Sequence, residues 1–139
     1  MKPSFKKIIA AAALAGIISA IVNSMLYSIF HAAGVISNEV YVQEHQPLTL
    51  LPVIFSSLVP SLLAGLVFYL FCRYSKDGYR YFSILAIILL IVSFANPFIA
   101  IKHIPLAMGI ALNMMHIVVV ASLLYSFKHI KAEQKFVLQ

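Results

Sequence analysis

Four long stretches of this chain contain no Asp, Glu, Lys or Arg, and they constrain its fold more than any other feature. They are residues 8–33, 48–72, 81–101 and 103–127. Each provides the roughly 20 residues that an α-helix needs to cross about 30 Å of hydrocarbon. Charged residues make up 10% of the chain, against about 25% in an ordinary soluble domain. We therefore predict an all-α membrane protein.

The connections between these stretches predict how the helices are arranged. We expect helices over about 5–31, 50–73, 79–101 and 105–131, joined by short links between helices 2 and 3 and between helices 3 and 4. Short links make consecutive helices antiparallel neighbours. The prediction is thus one domain, residues 1–139, folded as an antiparallel bundle of four transmembrane helices. A long outer loop, 32–49, would lie over one end as a short strand or an interfacial helix.

The distribution of positive charge predicts the orientation. All ten Lys and Arg residues except Lys102 lie at or before the start of helix 1, at the facing ends of helices 2 and 3 or in the link between them, or at or after the end of helix 4. The positive-inside rule then places both termini in the cytoplasm, as in a multi-pass protein of the cytoplasmic (inner) membrane. This topology also accounts for the net charge of +6, so a nucleic-acid partner is not needed. The first apolar run exceeds the 7–15 residues of a signal peptide, although Ala32 and Ala33 leave cleavage open as an alternative.

Polar side chains recur on one face of several predicted helices. In helix 1 they stand four residues apart, so that they share a face that must point inward. By depth, the polar residues of all four helices concentrate in the outer half, which predicts an outward-facing pocket with a dry floor. The residues expected to line this pocket are Asn23, Tyr27, Ser57, Asn96, Asn113 and His116.

His116 is the most informative of these residues, because an ionisable side chain deep in a membrane helix marks a functional site by default. A plainer interpretation stays open for the whole set. Ser and Gly commonly serve packing between membrane helices, and Asn side chains can bond one another or the carbonyls freed by Pro60 and Pro97. His116 itself could be a neutral core histidine bonded to Asn or Tyr.

Several activities are disfavoured by what the helices lack. The four acidic residues, Glu39, Glu44, Asp77 and Glu133, all lie outside the predicted helices, which argues against proton-coupled exchange of the kind that small multidrug exporters perform. No GxSxG or HExxH motif occurs, so an enzyme is a third choice only. The single cysteine, Cys72, excludes a CxxC redox pair.

Histidines near the outer surface raise the alternative of a metal or cofactor site. His31, His45 and His103, with nearby glutamates, have side chains that suit zinc or copper. Their spacing matches no fixed ligand motif, so we expect solvated loop residues and assign no metal. A haem held by two histidines is disfavoured because His116 has no second imidazole at its depth. The sequence indicates no particular cofactor.

Two short segments carry a resemblance to a known family. They are Ser93-Phe-Ala-Asn-Pro97 and the stretch 111–119, which contains Met115-His116. At these segments the chain resembles an uncharacterised family of small bacterial four-helix integral membrane proteins, a domain of unknown function. A Ser-x-x-x-Pro stretch near the end of helix 3 and a Met-His pair in helix 4 recur in that family. The resemblance implies a bacterial membrane protein and no established activity.

The expected function is binding of a small-molecule or lipid-like ligand in the predicted pocket, as a carrier or a binding subunit. The main alternative is a structural or accessory subunit without a ligand, in which the polar faces pack against a second copy or a larger membrane partner. A membrane-embedded enzyme is the third possibility. The lipid bilayer is a partner in every case.

Overall fold

The structure is a computed structural model that describes residues 2–136, and most of these residues are helical. The elements in chain order are α1 Phe5–Ala32, β1 Tyr41–Gln43, β2 Gln46–Pro47, α2 Leu50–Tyr74, α3 Gly78–Ser93, α4 Asn96–Ala100 and α5 Leu106–Phe136. Within residues 2–136, four helical segments are long and apolar enough to cross a membrane: Phe5–Ala32, Leu50–Tyr74, Gly78–Ala100 and Leu106–Ala132. This confirms the predicted fold class.

The four segments pack as a bundle in which α1 and α3 occupy opposite corners. Both α1 and α3 pack against α2 and α5. Bonds between helix ends show that neighbours run antiparallel: Tyr27, late in α1, reaches Leu48 just before α2, and Asp77, just before α3, reaches Lys131 late in α5. We name the end that holds Asp77 and Lys131 the basic end, and the end that holds β1 and β2 the hairpin end.

The contact between α1 and α2 is close because small residues face each other along it. A Cβ atom placed on Gly65 would lie 2.6 Å from the Cβ of Ala12, and one on Gly16 would lie 3.0 Å from the Cβ of Ser61. Small residues let membrane helices approach closely enough for backbone contact and dispersion attraction. The close approach of α1 and α2 therefore depends on the absence of a Cβ atom at Gly16 and Gly65.

Aromatic packing closes the basic half of the bundle. Phe68 of α2 stacks on Phe127 of α5, with ring centroids 4.2 Å apart and planes at 8°. Phe82 of α3 meets both rings edge-on, with centroids 5.4 Å from Phe68 and 5.0 Å from Phe127. All three side chains are buried. Three helices are thus held together at this level.

The hairpin end is filled by a second apolar cluster. Ile36, Leu48, Val53, Met108 and Met115 are buried together under the loop. The short strand expected in this loop is present as two antiparallel strands, β1 and β2. The loop therefore covers this end of the bundle with side chains that bury apolar area.

The third span matches the predicted 79–101 in extent, as Gly78–Ala100, but its helical hydrogen bonding is interrupted after Ser93. The helix α3 ends at Ser93, and the chain resumes as the short α4 after a turn. Pro97 explains the break, because it has no N–H to offer the Ser93 carbonyl and its ring would clash with that group. The N–H of Phe98 bonds instead to Ala95 O at 3.2 Å. The last helix also extends five residues beyond the predicted end at 131.

Candidate functional site

The six residues predicted to line one pocket lie in separate places, and two of them form a buried contact between helices. Asn23 is 2% exposed, and its Nδ2 donates to Ser57 Oγ at 3.0 Å and to Met115 O at 3.2 Å. The Ser57 hydroxyl donates in turn to Val53 O at 2.9 Å. These bonds join α1, α2 and α5 in the middle of the bundle, so Asn23 and Ser57 act as interhelical contacts.

Tyr27 lies at the hairpin end and holds the loop to the bundle. Its hydroxyl donates to Leu48 O at 3.0 Å, and its ring stacks on that of His31 with centroids 5.5 Å apart. Leu48 belongs to the apolar cluster under the loop. Tyr27 therefore fixes the chain just before α2 begins.

Asn113 stabilises the turn that interrupts the third span. Its Nδ2 donates to Phe94 O at 3.1 Å, a carbonyl in the turn between α3 and α4. The phenyl ring of Phe98 lies over Gly109, where a Cβ atom would come within 2.3 Å of the ring. The turn is thus stabilised by α5. Asn96, the sixth predicted pocket residue, is exposed at the start of α4.

His116 lines a cleft between α2, α3 and α5. The cleft has a volume of about 210 Å³ and is lined by Ser56, Pro60, Leu89, Leu90, Ser93, His116, Val119 and Val120. Ser56, Pro60 and Leu89 at its rim are exposed, so the cleft opens sideways between α2 and α3. In a membrane this opening faces the lipid. We name it the lateral cleft.

The hydrogen bonds of His116 indicate which tautomer it adopts. Ser93 Oγ donates to Leu90 O at 2.7 Å, which uses its one hydroxyl hydrogen. The 3.0 Å contact between Ser93 Oγ and His116 Nδ1 then requires Nδ1 to be the donor. We assign the tautomer of His116 from this bonding network: the neutral imidazole has its hydrogen on Nδ1 and a free lone pair on Nε2. No carboxylate lines the cleft among the residues described.

A second acceptor stands at the rim of the lateral cleft. Pro60 lies inside α2, and because proline has no N–H, the Ser56 carbonyl loses its usual helical partner. Both residues line the cleft. Freed carbonyls in membrane helices are generally bonded by neighbouring side chains, water or a ligand. The cleft therefore combines apolar walls with hydrogen-bond acceptors.

Part of this site escaped the sequence reasoning. Of the residues that line the cleft, only His116 is among the six predicted pocket residues, whereas Ser56, Leu89 and Leu90 are not. A signal was present nonetheless. Val119 and Val120 follow His116 by three and four residues and so share its face, and Pro60 marks the one helix turn of α2 that must expose a carbonyl.

The three outer histidines do not come together. His31 Nε2 lies 3.0 Å from Asn38 Oδ1, His45 packs edge-on to Tyr41 with centroids 6.4 Å apart, and His103 is exposed in the turn before α5. Among the side chains that the structure describes, which exclude those of residues 133–139, no three His, Cys, Asp or Glu groups are placed to hold a metal ion.

The four helical segments that are long and apolar enough to cross a membrane define the class: a polytopic α-helical membrane protein. The family model that matches the chain covers residues 3–132, and its description is a family of unknown function, DUF6069. The chain belongs to this family, which confirms the predicted resemblance to an uncharacterised family of unknown function. No curated protein and no solved structure matches the chain.

Proposed function

We propose that this protein binds a small-molecule or lipid-like ligand in the lateral cleft, as a carrier or a binding subunit. The carrying observation is His116, a polar side chain at the middle of a membrane span, lining a cleft that opens toward lipid. An ionisable residue at this depth is costly unless it serves a site. We therefore propose that the ligand site lies on one side of the bundle, between α2, α3 and α5.

The size of the lateral cleft limits what it holds. Drug-sized pockets usually measure about 300–1,000 Å³, whereas this cleft has about 210 Å³. It therefore suits one segment of a ligand whose remaining length lies along the bundle in the hydrocarbon. A lipid-like molecule has this form, and a sideways entrance lets it enter without leaving the bilayer.

The acceptors of the cleft favour a ligand that carries a hydrogen-bond donor. The assigned tautomer leaves His116 Nε2 as an acceptor, and Pro60 leaves the Ser56 carbonyl without its helical donor. A ligand hydroxyl or amine can donate to either group. In hydrocarbon no water competes for such a bond. We therefore propose an apolar ligand with a hydroxyl or amine group in preference to a pure hydrocarbon.

The proposed location is the cytoplasmic membrane of a bacterium, with the basic end inside the cell. The support is the charge asymmetry, since Lys102 is the one Lys or Arg residue assigned to the hairpin end. In this orientation His116 and Ser93 lie between the membrane centre and the outer surface.

Photolabelling in a defined bilayer tests the proposal. The full chain is reconstituted in phosphatidylcholine nanodiscs with a long-chain alcohol that carries a diazirine, and crosslinked peptides are mapped by mass spectrometry. Crosslinks should concentrate in residues 89–93 and 116–120. Unlabelled alcohol should compete more strongly than an alkane of the same length, and His116→Phe should remove that difference.

A matched pair of variants controls for general contact with lipid. Leu89→Trp fills the lateral cleft and should suppress the crosslinks. Ile88→Trp places the same ring one residue earlier on α3, at a side chain that is 52% exposed against 57% for Leu89 and does not line the cleft. It should leave them unchanged. Crosslinks spread evenly over the lipid-facing residues would refute the proposal.

A structural or accessory subunit remains the second candidate, and a specific observation favours it. Asn23, Ser57, Tyr27 and Asn113 all make hydrogen bonds within the chain, as polar residues that serve packing do. If evenly spread crosslinks coincide with a stable oligomer in the same nanodiscs, this candidate is preferred.

A further inference from the structure

Two hollows adjoin each other at the basic end of the bundle. The first, of about 230 Å³, lies between the ends of α2 and α5 and the 75–77 link, and the second, of about 510 Å³, lies between the start of α1 and the end of α2. They share Lys2, Pro3 and Cys72 as lining residues. We name this the basic groove.

The basic groove has an excess of positive charge. Lys2, Lys76 and Lys131 line its first hollow, and Arg73 lines the second. Asp77 is the one acidic residue among the described lining residues. Lys2 also donates through Nζ to the carbonyl of Arg73, which draws its ammonium group over the end of α2. An ammonium has three N–H donors, so two of them stay available there.

Asp77 does not cancel this excess. Its carboxylate accepts from Lys131 Nζ at 2.9 and 3.0 Å and from the backbone N–H of Arg80 at 3.2 Å. The bonds from Lys131 and then Arg80 hold the pKa of Asp77 below its ordinary value. It remains ionised and paired with Lys131. Among the described residues that line the groove, no acidic side chain pairs with Lys2, Lys76 or Arg73.

The position of the basic groove indicates where its ligand comes from. The second span ends at Tyr74 and the third begins at Gly78, so the groove lies at the depth of lipid headgroups. Its deeper wall is apolar or aromatic, with Phe68, Ile130 and Tyr79. Basic pockets between helix ends at this depth suit phosphate headgroups. We propose that the basic groove binds the headgroup of an anionic phospholipid.

Spin-labelled lipids test this proposal on the full chain. The protein is reconstituted in phosphatidylcholine, and the association of spin-labelled phosphatidylglycerol is measured relative to spin-labelled phosphatidylcholine by electron paramagnetic resonance. The anionic lipid should associate more strongly. Lys76→Ala should reduce that preference about fivefold, which corresponds to roughly 1 kcal/mol for one lysine near an anionic lipid surface. Lys76→Arg, with the charge kept, should retain it.

Matched variants separate the basic groove from general surface charge. Lys128→Ala removes an exposed lysine at the same end that does not line the groove, and Lys102→Ala removes one at the hairpin end. Both should leave the preference within about twofold, because distant exposed charges are screened by salt. Equal losses in Lys128→Ala and Lys76→Ala, or no preference in the unsubstituted protein, would overturn the proposal. Displacement of the spin-labelled lipid by millimolar inorganic phosphate would also overturn it, by identifying a site for a soluble anion.

Discussion

The contact between α1 and α2 yields a stability prediction that the geometry quantifies. A Cβ added at Gly65 would lie 2.6 Å from the Cβ of Ala12, while carbon atoms in contact are about 3.5–4.0 Å apart. The helices must therefore separate by about 1 Å at this level. Overpacking of this size costs about 1–3 kcal/mol. We expect Gly65→Ala to lower the free energy of unfolding by that amount.

The usual gain in helix propensity from Gly to Ala should not offset this cost. That gain is about 1 kcal/mol in water, where the unfolded state is a coil. A membrane protein whose helices separate within the bilayer keeps them helical, since their backbone groups have no water to bond. The propensity difference therefore largely cancels between the two states.

A second substitution should reverse the effect. Ala12→Gly removes the atom that Gly65→Ala meets, so the double variant should be more stable than Gly65→Ala alone, with a coupling of about 1–2 kcal/mol between the two sites. Gly16→Ala provides a graded comparison, because its Cβ would lie 3.0 Å from the Cβ of Ser61. It should cost less than Gly65→Ala.

Steric trapping in bicelles measures the free energy of unfolding for all four variants within a bilayer. The reasoning fails if Gly65→Ala is as stable as the unsubstituted protein. It also fails if the Ala12→Gly and Gly65→Ala costs simply add, because an additive result means that the two positions do not touch.

Two further predictions concern the ends of the bundle. Lys131 lowers the pKa of Asp77, so the stabilisation from this pair should be complete above the ordinary aspartate pKa and should disappear as pH falls through the lowered pKa. Asp77→Asn should therefore flatten the acid side of a profile of stability against pH measured by circular dichroism. An unchanged profile would contradict the pairing. For orientation, Lys102→Cys but not Lys76→Cys, each in a Cys72→Ser background, should react with a membrane-impermeant maleimide added outside intact cells, and the reverse pattern would invert the proposed topology.

The helical spans were predictable because the bilayer fixes both their length and their charge. The ends of α1 and α2 fall within one residue of the predicted 31 and 73. The last helix runs past its predicted end because loss of hydropathy marks where the membrane stops, whereas the backbone of 132–136 continues its helical bonding into a polar sequence.

The arrangement of the polar residues was less predictable, for a physical reason. Helical periodicity gives the face of a residue but not its rotation relative to a neighbouring helix. Asn113 and His116 share a face of α5, yet one bonds Phe94 O and the other bonds Ser93 Oγ. Which of them meets a cleft depends on how far α2 and α3 diverge, and tertiary packing alone decides that.

Two prolines illustrate the same dependence and together account for the character of the lateral cleft. Pro60 leaves α2 continuous, whereas Pro97 ends α3. The turn before Pro97 is stabilised by the Asn113 side chain and by the packing of Phe98 over Gly109. Pro60 deprives the Ser56 carbonyl of its donor. Pro97 ends α3 at Ser93, whose hydroxyl holds the hydrogen-bearing nitrogen of His116 and leaves the other nitrogen as an acceptor. The chemistry proposed for the cleft thus follows from missing backbone donors, which a sequence read for polar side chains alone does not show.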